Sequence, residues 1–203
     1  MGRSATLTGT HRRRTRGFSM VELAVSLTVM LVLTAIAIPS LMRSFRTYQL
    51  NDAAGRVSDM LKFTRFEAVR RNTTISFLML QPSPPAWIVG ADSNGNGLLD
   101  SAEKQYVITG FPALLAAGAP NSAAITATLN GATLTTLSGT VGSVTFDARG
   151  AIRVGGAVSS SVFVFYVGNA TNPEYGYRAV ILLPSGAVQI WTAPNGGTWQ
   201  RVG

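Results

Sequence analysis

The sequence predicts an α+β protein in which one long N-terminal helix, first transmembrane and then amphipathic, packs on an antiparallel β-sheet domain. Three observations predict it. Phe18 to Leu41 is apolar with Glu22 as its only ionisable residue; Arg43 to Asn72 carries an apolar stripe at helical spacing; and from residue 74 onward short apolar segments alternate with Gly, Asn, Pro and Ser.

The apolar run comes first. At 1.5 Å rise per residue, 24 residues span about 36 Å, enough for a hydrocarbon core of about 30 Å with some tilt. A secretory signal has an apolar region of only about 7 to 15 residues, and a buried helix of a soluble protein rarely runs so far without charge. Pro39 lies inside the run and removes one backbone donor, so a local loosening is expected there, with Thr34 or Ser40 placed to serve a freed carbonyl.

The formal charge of +8, from 17 basic and 9 acidic residues, suggests nucleic-acid binding until it is divided along the chain. Five of the basic residues, Arg3, Arg12, Arg13, Arg14 and Arg16, precede the apolar run, and the remainder carries twelve basic against nine acidic side chains, a net +3. Basic residues beside a membrane helix are retained on the cytoplasmic side, so the N-terminus is expected in the cytoplasm and the rest of the chain across the membrane. The expected organisation is a leader at 1–17, a transmembrane helix at 18–41, its amphipathic continuation at 42–72 and a β-rich domain at 73–203. With 203 residues, one folded domain plus these accessories is the working count.

The amphipathic part places Leu50, Ala53, Ala54, Val57, Met60, Leu61, Thr64 and Ala68 on one face, with Arg46, Arg56, Lys62, Arg70 and Arg71 mostly elsewhere. That face is expected to cover the sheet. Strands are expected at 74–80, 86–91, 106–109, 124–129, 143–147, 151–154, 161–167, 177–183 and 187–191, joined as antiparallel hairpins. Residues 112–142, rich in Ala, Thr and Gly, read as a long loop with one or two edge strands.

Several functions are excluded by composition. There is no cysteine, hence no disulfide, thiolate metal site or Cys nucleophile. The single histidine, His11, lies in the leader, so no Ser-His-Asp triad or multi-histidine metal site exists beyond it. No Gly-rich phosphate loop follows a strand, and no enzyme activity is expected. Trp87, Trp191 and Trp199 read as sheet and core aromatics.

Residues 92–103, Asp92-Ser93-Asn94-Gly95-Asn96-Gly97-Leu98-Leu99-Asp100-Ser101-Ala102-Glu103, fit the calcium-loop pattern D-x-[DN]-x-[DN]-G-x5-E. Asp92, Asn94, Asn96, the Leu98 carbonyl, Asp100 and Glu103 would supply the hard oxygens that Ca²⁺ prefers. The flanks, however, read as strands, and an Asn/Gly-rich hairpin turn uses the same residues for backbone reasons. Both readings stand at this point, and calcium is the one cofactor the sequence suggests.

Glu22 also has two readings. Ser19-x-x-Glu22 fits a helix capping box, and an acid in the first turn favours the helix dipole. Alternatively, an ionisable residue at the edge of a membrane span marks a functional position, because an unpaired carboxylate near hydrocarbon is costly.

Arg16-Gly17-Phe18-Ser19-Met20-Val21-Glu22-Leu23 resembles the class III signal of type IV prepilins and pseudopilins: a basic leader ending in Gly, then Phe, with Glu at the fifth mature position and an uninterrupted apolar run. The resemblance implies that a prepilin peptidase cuts between Gly17 and Phe18 and methylates the new amino group of Phe18. It also implies that Glu22 pairs with the N-terminal ammonium of a neighbouring subunit during assembly, and that the helix sits in a bacterial inner membrane with the β-domain in the periplasm.

Further along, Thr64-Arg65-Phe66-Glu67-Ala68-Val69-Arg70-Arg71-Asn72 resembles the helix end of the GspH/FimT branch. That implies a minor pseudopilin of type II secretion or a minor pilin of type IV pili, with other pilins or pseudopilins as partners. In the FimT subgroup a Gly-Arg-x-Arg motif is associated with DNA binding. The matching hairpin here reads Gly186-Ala187-Val188-Gln189, and a second candidate, Gly150-Ala151-Ile152-Arg153, keeps one arginine, which argues against nucleic acid as a partner. Arg149, Arg153, Arg178 and Arg201 would form the basic patch of a DNA-binding alternative; scattered arginines are more often a solvated surface.

Overall fold

The structure, a computed structural model, describes residues 17–83, 85–115, 125, 129, 134–136 and 141–202. The leader up to Arg16 lies outside the described residues. Two compact units are distinguished, Met1–Met42 and Arg43–Gly203.

Helix α1 runs from Met20 to Arg71 as one α-helix with Pro39 inside it. Ser19 starts it: its carbonyl accepts the Leu23 amide at 3.0 Å and its Oγ accepts the Val21 amide at 3.3 Å, which satisfies donors that a helix N-terminus leaves free. The helix ends at Asn72, which adopts a left-handed φ of 52°. There the Thr73 amide donates to the Ala68 carbonyl at 3.1 Å and the Asn72 amide to Val69 at 3.2 Å. This pair of bonds is the Schellman arrangement, and asparagine tolerates the left-handed backbone it needs.

Among the described residues twelve strands follow: β1 (Ile75–Ser83), β2 (Ala86–Asp92), β3 (Gln105–Ile108), β4 (Ala113–Leu115), β5 (Leu134–Thr136), β6 (Val141–Phe146), β7 (Ile152–Val154), β8 (Ala157–Val158), β9 (Val162–Gly168), β10 (Tyr177–Leu182), β11 (Val188–Ala193) and β12 (Gln200–Arg201). They divide into two sheets. The first has the order β3-β2-β1-β6-β7-β8 and the second β12-β11-β10-β9-β4, with β5 also on β9. Pairing is antiparallel except for β5, which runs parallel to β9.

The strand expected at 124–129 falls almost entirely outside the described residues. Of the two that are described, Leu129 donates its amide to the Ile125 carbonyl at 3.1 Å, the spacing of a helical turn and not of a strand. Ile125 is fully buried. The stretch read as a loop thus contributes a core residue, and β4 and β5 share one edge of β9.

The Arg43–Arg71 part of α1 buries the expected face, Leu50, Ala53, Ala54, Val57, Met60, Leu61, Thr64 and Ala68, together with Ser58 and Glu67. It packs in one cluster with Ile75, Phe77 and Met79 of β1, Val89 of β2, Phe146 of β6, and Phe165 and Val180 of the second sheet. Each fully buried side chain of this size contributes roughly 1.5–3 kcal/mol. The opposite face of the second sheet builds another cluster from Val162, Val164, Tyr166, Ala179, Ile181 and Trp191. β9 and β10 are therefore buried on both faces, which is why they read as continuous apolar runs instead of alternating ones.

Candidate functional site

The N-terminal unit holds Gly17, Phe18 and Glu22, the residues expected to serve processing and assembly. Gly17 is exposed, a Cβ added to it would meet nothing within 4 Å, and Phe18 is 74 % exposed. The most apolar stretch of α1 is long and apolar enough to cross a membrane, and none of it is buried. Its hydroxyls are turned inward: Ser26, Thr28 and Thr34 donate to the carbonyls of Glu22, Ala24 and Met30 at 2.7, 2.8 and 2.7 Å. Such back-bonding is how polar side chains are tolerated in hydrocarbon. Thr34 therefore serves Met30 and not the Ala35 carbonyl that Pro39 leaves without its usual donor. Glu22 is exposed, and among the described residues its carboxylate has no hydrogen-bond or ion-pair partner. Neither half of the capping box is formed among the described residues: Ser19 Oγ accepts the Val21 amide, not that of Glu22, and the Glu22 carboxylate does not reach back to Ser19.

The helix end organises the β-domain through charged side chains. Arg65 Nε donates to the Gly150 carbonyl at 3.0 Å and its Nη1 to the Gly186 carbonyl at 3.4 Å. Gly150 closes the β6–β7 hairpin and Gly186 the β10–β11 hairpin, with left-handed φ values of 75° and 78°. One helix arginine thereby ties one turn of each sheet. Both hairpins weighed above against a Gly-Arg-x-Arg motif lie beneath it. Glu67, one turn of helix earlier than Arg70 and Arg71, accepts from Arg70 Nε at 2.7 Å, Arg70 Nη2 at 2.6 Å and Arg71 Nε at 2.5 Å. These bonds, from Arg70 first, outweigh the opposing effect of burial and hold its carboxyl down to about 2. The sequence pattern signalled this segment, but its roles needed the coordinates.

The four arginines proposed for nucleic acid stand in different environments. Arg149 is exposed and shares a shallow hollow with Arg153, Asn72, Thr73, Thr74 and Asp147. Arg153 is committed: its Nε pairs with Asp147 Oδ2 at 2.9 Å and its Nη1 donates to the Gly156 carbonyl at 2.7 Å. Asp147 also accepts the Ala151 and Arg149 amides, and the Ala151 amide, the other amide and Arg153 together hold its carboxyl below the usual range despite burial. Arg178 is buried against α1, donating Nε to Asn51 Oδ1 at 2.6 Å. Arg201 lies on the edge strand β12.

The acidic loop joins β2 to β3. Asp92, at the end of β2, is buried; its Oδ1 accepts the Gly95 and Asn96 amides at 2.7 and 3.2 Å, and Oδ2 accepts the Gly97 amide at 2.9 Å. Glu103 closes the loop from the other side. Its Oε1 accepts the Ser93 amide at 2.6 Å and its Oε2 the Asp100 amide at 3.0 Å. Burial pushes the Glu103 carboxyl up, yet the Asp100, Ser93 and Asn94 amides and the Ser93 hydroxyl outweigh it, so the group stays below its ordinary value. Asn94 and Asn96 both donate Nδ2 to Asp100 Oδ2, at 2.7 and 2.9 Å. The six proposed ligand residues are thus gathered in one loop, where both carboxylate oxygens of Asp92 and Glu103, the amide oxygens of Asn94 and Asn96, and Asp100 Oδ2 accept N–H groups. Among the described residues no three carboxylates or histidines stand together as a metal cluster.

Two family models match this chain. The family described as type II transport protein GspH matches residues 53–186, and the prokaryotic N-terminal methylation motif matches residues 12–38. A crystal structure of the type IV minor pilin FimU from Pseudomonas aeruginosa is similar with a TM-score of 0.46 at 17 % identity, over 76 % of this chain and 93 % of that one. No curated protein matches. The first match runs from Ala53 within α1 through β10 and includes the acidic loop, and the second spans the Gly17–Phe18 junction, Glu22 and most of the apolar run: the chain belongs to the GspH family of pseudopilins and carries an N-terminal methylation motif.

Proposed function

We propose that this chain is a minor pseudopilin: a structural subunit cut between Gly17 and Phe18 by a prepilin peptidase, held in the inner membrane by residues 18–41, and drawn into a short filament with other pilin-like subunits. Its N-terminus is cytoplasmic and its β-domain periplasmic. The observation that carries the reading is the unburied apolar helix with Glu22 as its single, unpartnered charge. A carboxylate that must enter hydrocarbon favours a neighbour supplying an ammonium, and the cleaved N-terminus of Phe18 on an adjacent subunit is such a group. The family's description as a type II transport protein supports a secretion pseudopilus over the tip or initiation complex of a type IV pilus. Secretion genes beside the coding sequence would support the first, and pilus or competence genes the second.

The test is Glu22→Ala. We expect unchanged recovery in the membrane fraction and reduced cross-linking to, and co-purification with, partner subunits. Normal incorporation would return Glu22 to helix capping. The DNA-binding alternative rests on four arginines of which one is buried and one is paired with Asp147. It is the weaker reading.

A further inference from the structure

We propose that the cleft between α1 and the β10–β11 hairpin is a receptor for a carboxylate side chain presented by another pilin-like subunit, an inference that rests on the assembly reading above. The cleft, of about 300 Å³, is lined by Asn51, Ser58 and Lys62 of α1 and by Arg178, Ile190 and Val202.

One of its polar groups is buried without a partner, and a second is a largely buried cation without a counter-charge. Arg178 is 7 % exposed, and among the described residues no carboxylate pairs with it. Of its five N–H donors, one goes to Asn51 Oδ1 at 2.6 Å and one to the Tyr177 carbonyl at 2.9 Å, leaving three without an acceptor among the described residues. Burial disfavours its charge, yet a guanidinium cannot shed its proton in a protein. A buried cation of this kind calls for a counter-charge. Ser58, 1 % exposed, has a hydroxyl with no hydrogen-bond partner. The two residues come from different elements, and both line the same opening, with the ammonium of Lys62 also on its lining and only loosely held by Asp59 at 4.0 Å.

A carboxylate satisfies all of these at once. The guanidinium fork matches it in a bidentate manner, and the Ser58 hydroxyl donates to a remaining lone pair. The walls decide between anions: Val188, Ile190 and Val202 are apolar, which suits the aliphatic stem of Asp or Glu better than a strongly hydrated phosphate. A buried interfacial Arg–carboxylate pair also gives register, which a filament subunit requires.

The experiment uses the full-length chain in detergent micelles, with ¹⁵N-labelled arginine. Sodium acetate is titrated against chloride at matched ionic strength while the Arg178 Nε–H resonance is followed. The expected result is a saturable shift with acetate alone, weakened about tenfold in Ser58→Ala, the loss of one charge-assisted hydrogen bond. Arg178→Met should keep or raise the melting temperature, because replacing an uncompensated buried charge by an apolar side chain of similar volume is neutral or stabilising. It should also lose co-purification with partner subunits. No acetate shift in the wild-type chain overturns the receptor. A shift together with normal co-purification of Arg178→Met overturns the subunit as its occupant. Cross-linking through Glu22 in the same cells reports on the assembly reading separately, so the two failures are distinguishable.

Discussion

Arg65 Nε donates to the Gly150 carbonyl at 3.0 Å, joining α1 to a hairpin turn 85 residues further along the chain. The same guanidinium reaches Gly186 of the other sheet at 3.4 Å, the long end of the hydrogen-bond range. Arg65→Met keeps the aliphatic stem and removes both bonds. A loss of about 1–3 kcal/mol is expected, since each turn carbonyl is left inside the domain without its donor. Urea unfolding should show it as a lower midpoint with unchanged slope. Gly186→Ala should cost a similar amount by another route: φ is 78°, and a Cβ there would approach Arg65 Cδ to 2.9 Å.

Glu67 sets an acid dependence. Its folded carboxyl titrates near 2, below the ordinary value of 4.5. The stabilisation is therefore complete above about pH 4.5 and is lost as pH falls towards 2. Arg70 and Arg71 extend into solvent, so screening holds the effect to about 1 kcal/mol. Melting temperatures of the wild-type chain and Glu67→Gln should differ at pH 6 and converge towards pH 2.5. A gap that is constant with pH would assign the difference to packing.

Processing makes a mass prediction. From cells with a prepilin peptidase the chain should begin at an N-methylated Phe18, and Gly17→Val should retain the leader, because the peptidase must fit an extended backbone with no side chain at that position. Intact-mass spectrometry reads both. A mature chain still carrying Arg12 to Gly17 would refute the pseudopilin reading.

The acidic loop offers a calcium test. If residues 92–103 take Ca²⁺ through Asp92, Asn94, Asn96, Leu98, Asp100 and Glu103, calcium at about 100 times Kd should stabilise the folded chain by about 2.7 kcal/mol. Magnesium should do less, since it demands tighter octahedral geometry. Glu103→Gln should abolish the response. The same variant lowers stability without calcium, by about 1–2 kcal/mol, because one of the two carboxylate oxygens serving the Ser93 and Asp100 amides becomes an NH₂. An unchanged melting curve in millimolar calcium would make the loop an Asn/Gly turn.

Much of the architecture was legible because its signals are local. The charge-free run after Gly17, the stripe from Leu50 to Ala68 and the apolar runs of β9 and β10 follow from periodicity and composition, which neighbouring residues determine among themselves. The family signature at Arg65 to Asn72 was equally visible. The division into two sheets was not, nor was the burial of Ile125 or the parallel pairing of β5. These depend on contacts between segments far apart in the chain, and weakly patterned residues such as those at 112–142 carry no period to reveal them.

The sequence by itself determined the order of the parts: basic leader, cleavage junction, apolar helix with Glu22, amphipathic helix, strands. Each is a statement about how a short segment partitions between water, hydrocarbon and its own hydrogen bonds. Only the tertiary structure decided what the charged residues do, because a charge acts through whatever the fold brings within a few ångströms of it. Arg65, Arg153 and Arg178 are alike in sequence as isolated basic residues. In the fold one ties two hairpins, one neutralises Asp147, and one is buried beside Asn51 without a counter-charge.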